Sequence, residues 1–106
     1  MIMPTSGIII LPPFAKKIID GKKRYEYRSR ELPKHYLNVP VFLLSEKKVW
    51  GIIKFTRSLW NGTGFSWKIE VIDEFYPSYS YKHPNGAQCW VKNVQYSKSK
   101  QTSLQP

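Results

Sequence analysis

A chain of 106 residues with a formal net charge of +10 is one domain, long enough to bury roughly two-thirds of its unfolded surface. Its 42% hydrophobic content, with four Trp, seven Tyr and five Phe, excludes a disordered chain, and its excess of cations favours polyanionic partners. One cysteine excludes an intrachain disulfide, and His35, His83 and Cys89 show no metal-ligand spacing, so neither a disulfide scaffold nor a bound metal is expected.

Gly7 to Leu11 is a β-branched run stopped by Pro12-Pro13 and predicts a buried first strand. Pro13 suits a first helical turn, where a missing N–H costs nothing. Phe14 with Ile18, and Ala15 with Ile19, then recur at i, i+4 spacing until Gly21 supplies a left-handed stop. So short a helix must be held by packing rather than by propensity. After the glycine, Tyr25, Tyr27 and Ser29 alternate with Arg24, Glu26, Arg28 and Arg30, a two-residue period that predicts a strand with one aromatic and one charged face.

Pro40 to Ser45 predicts a third strand, nearly all apolar, and Glu46-Lys47-Lys48 a polar turn. Val49 to Arg57 predicts a fourth, with Gly51 at a bulge or a close backbone approach. Trp60 to Gly64 reads as a turn cluster, Ser66 to Asp73 as a fifth strand, and Gln88 to Val94 as a last one. Between them, Phe75 to Gly86 reads as a loop rich in Tyr, Pro and Ser, its tyrosines a candidate lid. His83 there reads as a surface histidine. Six short strands with one or two small helices predict a mainly β fold, a small closed or half-closed barrel spanning residues 1–96. Residues 97–106 hold one large apolar residue, Leu104, and read as a flexible polar tail.

No apolar run is long enough to span a bilayer, and no cationic segment followed by a long apolar core opens the chain. The expected setting is intracellular, cytoplasmic by default, with no membrane partner.

The densest chemistry lies at Gly21 to Arg30. Strand parity places Glu26 and Arg28 on one face. Lys23 joins them only if Gly21-Lys22-Lys23 still belongs to the turn. The cations Lys22, Lys23, Arg24, Arg28 and Arg30 are candidate phosphate or base-carbonyl ligands, with Glu26 accepting a hydrogen bond or moving a proton. The same residues also fit an exposed, salt-bridged strand face, each pair worth under about 1 kcal/mol. Trp60, Trp67, Trp90, Tyr76, Tyr79 and Tyr81 lie in or beside loops with Lys68, Lys82 and Lys92, a pattern that suits base stacking as well as a packed core. Trp67 alternates in register with Ile69 and Val71 and is expected in the core. Ser45 ends an apolar strand within reach of a cleft, without a histidine partner in any recognisable motif.

An apolar helix running into Gly21-Lys22-Lys23-Arg24-Tyr25-Glu26-Tyr27-Arg28 resembles the signature of the ASCH domain family, G-x-K-x-x-E-x-R. Gly51-Ile52-Ile53 is similar to that family's glycine-bearing strand, and Gly86-Ala87-Gln88-Cys89-Trp90-Val91 to its closing strand, so the likeness covers residues 7–96. The resemblance implies a PUA-like barrel whose cleft lies between the helix, the Gly-Lys turn and neighbouring strands. It implies that Lys23 is the family lysine, Glu26 the pocket acid, Arg28 its strand neighbour and Trp90 a residue beside the cleft. It also implies RNA binding, and some family members are enzymes. The acetylcytidine amidohydrolases look similar at the Gly-Lys turn but carry threonine where this chain has Glu26.

The expectation is therefore an RNA- or nucleotide-binding domain without a cofactor, its basic cleft lined by Lys22, Lys23, Arg24, Glu26, Arg28, Arg30, Trp90 and Lys92. A second is a small hydrolase, a ribonuclease or modified-nucleoside amidohydrolase, with Lys23 and Glu26 as its catalytic pair. A third is a protein-interaction module whose charge is incidental. If about five phosphates of a single strand were neutralised, affinity would fall on the order of a hundredfold over a fourfold rise in salt.

Overall fold

The apolar segments assemble into one curled sheet, a half-closed barrel with a single α-helix, in a computed structural model that describes residues 3–97. In chain order the elements are β1 (Gly7–Ile9), α1 (Pro12–Ile19), β2 (Tyr25–Arg28), a 3-10 turn (Lys34–Tyr36), β3 (Val41–Ser45), β4 (Lys48–Trp60), β5 (Phe65–Tyr81), β6 (Trp90–Val91) and β7 (Tyr96–Ser97). The strand order is β2-β5-β4-β3-β1-β6, and β7 pairs with β5. Among the named strands of the described residues only β1 and β3 run parallel, joined by the crossover that carries α1 and β2. The strands β6 and β7 lie at opposite ends of the sheet yet are separated by only residues 92–95. That short connection holds the two ends near each other, and Val94 N–H donates to the Thr5 carbonyl at 2.7 Å within it.

All five residues of β3 are buried because both faces of this central strand are covered. Val41 and Leu43 pack with Ala15 and Ile18 of the helix and with Ile53, Phe55 and Trp67. Phe42 and Leu44 point to the opposite face, into a second core with Val49, Ile52, Tyr81 and Val91. Full burial of each such side chain contributes roughly 1.5–3 kcal/mol. The helix buries only Ala15 and Ile18, so those two contacts anchor it.

The hairpin between β3 and β4 turns on Glu46 and Lys47, both with positive φ (53° and 59°), the pair of left-handed residues that matches strand twist in a two-residue turn. The strand β5 is far longer than the sequence predicts. It runs on through Phe75–Tyr81, so the tyrosine segment is sheet rather than a loop or lid. Pro77, which reads as a strand breaker and follows a cis peptide bond, sits where β5 bulges: residues 75–78 fall between Glu74 and Tyr79, opposite a single residue of β4. Of the expected strand Gln88–Val94 only Trp90–Val91 is strand; Asn93, with its positive φ of 55°, follows it, and β7 begins beyond the expected bounds. The predicted tail from residue 97 loses Ser97 to β7, and the rest of that segment lies outside the described residues. Among the described residues no helix is long and apolar enough to cross a membrane.

Candidate functional site

The helix ends in a doubly hydrogen-bonded turn. Gly21 takes φ +78°, its N–H donates to the Ile18 carbonyl at 3.0 Å, and Lys22 N–H donates to the Lys17 carbonyl at 2.8 Å. Lys23 N–H adds a third bond, to the same Lys17 carbonyl, at 3.0 Å. Lys22 and Lys23 therefore belong to the turn, and β2 begins only at Tyr25. This releases Lys23 from strand parity, and its Nζ lies 3.8 Å from Glu26 Oε1.

The strand β2 pairs antiparallel with β5, Glu26 opposite Trp67 and Arg28 opposite Phe65. Its charged face turns inward: Glu26 is 8% exposed, whereas Tyr27 is 62% exposed. The buried acid is satisfied from two sides. Arg28 Nε donates to Glu26 Oε2 at 2.7 Å, and the Lys23 ammonium faces the other oxygen. The guanidinium then extends across the Trp67 ring, 5.7 Å from its centroid. It donates from Nη1 to Cys89 Sγ at 3.2 Å and from Nη2 to the Ile9 carbonyl at 3.4 Å. Arg28 thus ties β2 to β1 and to the segment before β6.

Beside this cluster lies an open hollow of about 490 Å³. Lys17, Lys22, Lys23 and Arg24 supply four cations to its walls, and Phe14, Tyr25 and Tyr27 supply three aromatic rings. Among the described residues no carboxylate lines it. The Lys23 ammonium spans the two environments, 4.7 Å from the Tyr27 ring centroid and 5.1 Å from that of Phe14.

Of the residues expected at the site, Lys22, Lys23 and Arg24 share the hollow, and the buried Glu26 pairs with the half-buried Arg28 beside it. Trp90 is half-buried in an aromatic stack, parallel to Tyr36 at 3.9 Å and beside Trp67 at 6.2 Å between ring centroids. Arg30 is exposed, and its carbonyl accepts the Trp67 indole N–H at 3.1 Å. Lys92 is exposed on the segment between β6 and β7 and does not line the hollow.

Sequence reading did not single out Lys17 or Phe14 as site residues, although their places one and two helical turns before Gly21 were the available signal. The Cys89 contact and the Tyr36 stack had no sequence signal. Among the described residues no three His, Cys, Asp or Glu side chains are grouped to hold a metal ion. No family model, curated protein or solved structure matches the chain.

Proposed function

We propose that this chain is an ASCH-type, PUA-like domain that binds single-stranded RNA, or a nucleotide-like ligand, across the hollow at the end of α1. The observation that carries this reading is the composition of that hollow: four cations interleaved with three aromatic rings and, among the described residues, no acid. Cations hold phosphates, while exposed rings offer base-stacking surfaces worth roughly 1–3 kcal/mol per base. The inward Glu26–Arg28 pair serves as the support that fixes Lys23 at the hollow's edge.

Fluorescence anisotropy with a labelled single-stranded RNA tests the reading. Three full phosphate contacts, with Lys23 adding less than half of one, give a log–log salt slope of about −2.1 to −2.4, hence a loss of about twenty- to thirtyfold in affinity between about 50 and 200 mM salt. A flat salt dependence, or no binding at the lower salt, overturns it. The 3.8 Å approach of Lys23 Nζ to Glu26 also supports a second reading, a hydrolase acting on the bound RNA or on a modified nucleoside with that pair. Cleaved or deacylated product that disappears in both Lys23→Met and Glu26→Gln selects it. Intact ligand after prolonged incubation leaves the binding reading.

A further inference from the structure

A second hollow, of about 820 Å³, shares Lys17 and Lys22 with the basic one and has a different character. Two coincident irregularities in the sheet create it. Register runs from Leu43↔Gly51 to Leu44↔Val49, which leaves Trp50 as an extra residue on β4. On β5 the register passes from Gly51↔Glu74 to Val49↔Tyr79, so residues 75–78 face Trp50 alone. Bulges re-aim side chains and recur beside binding sites. Here they set Trp50, Phe75 and Tyr76 on the wall of one cavity.

The cavity also holds an unmet polar group. Ser45 lines it and is 1% exposed, yet its Oγ has no hydrogen-bond partner among the described residues. Its own carbonyl is taken by the Trp50 indole N–H at 2.8 Å, which fixes that ring relative to the hydroxyl. A buried hydroxyl left unpaired destabilises a fold unless a ligand completes it. The cavity's volume is within the range of small-ligand sites.

We propose that this cavity binds a nucleobase. A base presents flat faces to Trp50 and Tyr76, and its edge bonds to the Ser45 hydroxyl, which is closed to solvent in the ligand-free protein, when the wall around it opens. Glu46 and Glu74, which also line the cavity, suit an exocyclic amino group, and Lys17 and Lys22 suit the phosphate beyond it. The base can come from a free nucleoside, or from an unstacked position of a strand whose phosphates lie on those lysines. Only the second source rests on the RNA reading above.

The test uses the 15N-labelled full chain and follows the Trp50 indole N–H signal, identified by its loss in Trp50→Phe. The probes are adenosine, guanosine, cytidine and uridine, then a single-stranded RNA hexamer with and without an abasic position. For the free source, a nucleoside moves the Trp50 signal, and Ser45→Ala weakens that binding about fivefold. The same substitution raises the unfolding temperature of the ligand-free protein, because it removes the unpaired hydroxyl. For the strand source, the intact hexamer moves the Trp50 signal and one abasic position costs about tenfold in affinity. A hexamer that binds while Trp50 stays silent to every probe overturns this proposal and leaves the RNA reading standing. A nucleoside response without any hexamer binding does the reverse, and no response to any probe overturns both.

Discussion

Arg28 closes on Glu26 through a 2.7 Å bond from Nε to Oε2, two residues apart on one face of β2. The contact is an inward one, and it decides what the remaining groups can do. With one carboxylate oxygen held by Arg28 and the other facing Lys23, the acid is a fixed acceptor rather than an open surface charge. The guanidinium spends its other two nitrogens on Cys89 and on the Ile9 carbonyl.

Breaking this pair by Glu26→Gln is expected to lower stability by about 1–3 kcal/mol, the range for hydrogen bonds involving charged groups. Arg28→Lys should cost a similar amount, because a single ammonium cannot reach three acceptors in fixed directions. Urea unfolding with an unchanged m-value is the measurement. Losses under about 0.5 kcal/mol for both variants would show a solvent-screened pair of the surface type.

The cations of the hollow should separate by what already neutralises them. Lys22 and Arg24 form no ion pair among the described residues, so Lys22→Ala and Arg24→Ala should each reduce the RNA salt slope by about 0.7. Lys23 is partly neutralised by Glu26, and Lys23→Met should change the slope by less than half as much. Affinities measured at four or more salt concentrations distinguish the two cases. An equal effect at Lys23 would mean that its charge is presented to the phosphates in full.

Most of the sheet was legible because β1, β3 and the first half of β5 carry simple alternation or unbroken β-branched runs. The helix stop was legible in Gly21, whose left-handed φ few other residues adopt. What could not be read was long-range. The end of β5 looks like a loop from its own residues, since Pro77 and the polar Tyr-Ser pattern say nothing of the bulge that absorbs them. Likewise, parity placed Glu26 with Arg28 but not on the buried face. That followed from pairing with Trp67, a partner 41 positions away. The Trp50–Ser45 cavity arises where irregularities of two strands coincide, and neither strand carries that information alone.

Gly51 was legible as a point of close approach, and its neighbours make the reason specific. A Cβ there would collide with the Asp73 carbonyl oxygen and come within 3.2 Å of Ile19 Cδ1. The first obstacle is backbone of the adjacent strand and cannot swing aside. Gly51→Ala is therefore expected to cost roughly 1–3 kcal/mol, as overpacking does, and to disturb Trp50 next to it. The urea midpoint and the Trp50 indole signal report the two effects. An unchanged midpoint would show that β5 moves away freely at this bulge.

Tyr81 provides a pH dependence with a definite sign. Burial raises its hydroxyl above the ordinary value of 10.0. Its oxygen lies 2.7 Å from His83 Nδ1, so the histidine expected on the surface is half-buried and hydrogen-bonded instead. Because the folded state holds the phenolic proton more tightly than the unfolded state does, this group's contribution to stability is intact below about pH 10. It is lost as pH rises from there through the folded value, at a slope of at most about 1.4 kcal/mol per pH unit. Tyr81→Phe removes the titration and the His83 bond together. The variant should be about 1 kcal/mol less stable than the parent near neutral pH, and the gap should narrow above about pH 10. The remaining ionisable groups are common to both proteins and cancel in the difference. Urea unfolding of both proteins from about pH 8 to about pH 11 reads the gap directly. A gap that stays constant across that range would show that the Tyr81 hydroxyl titrates alike in the folded and unfolded chains.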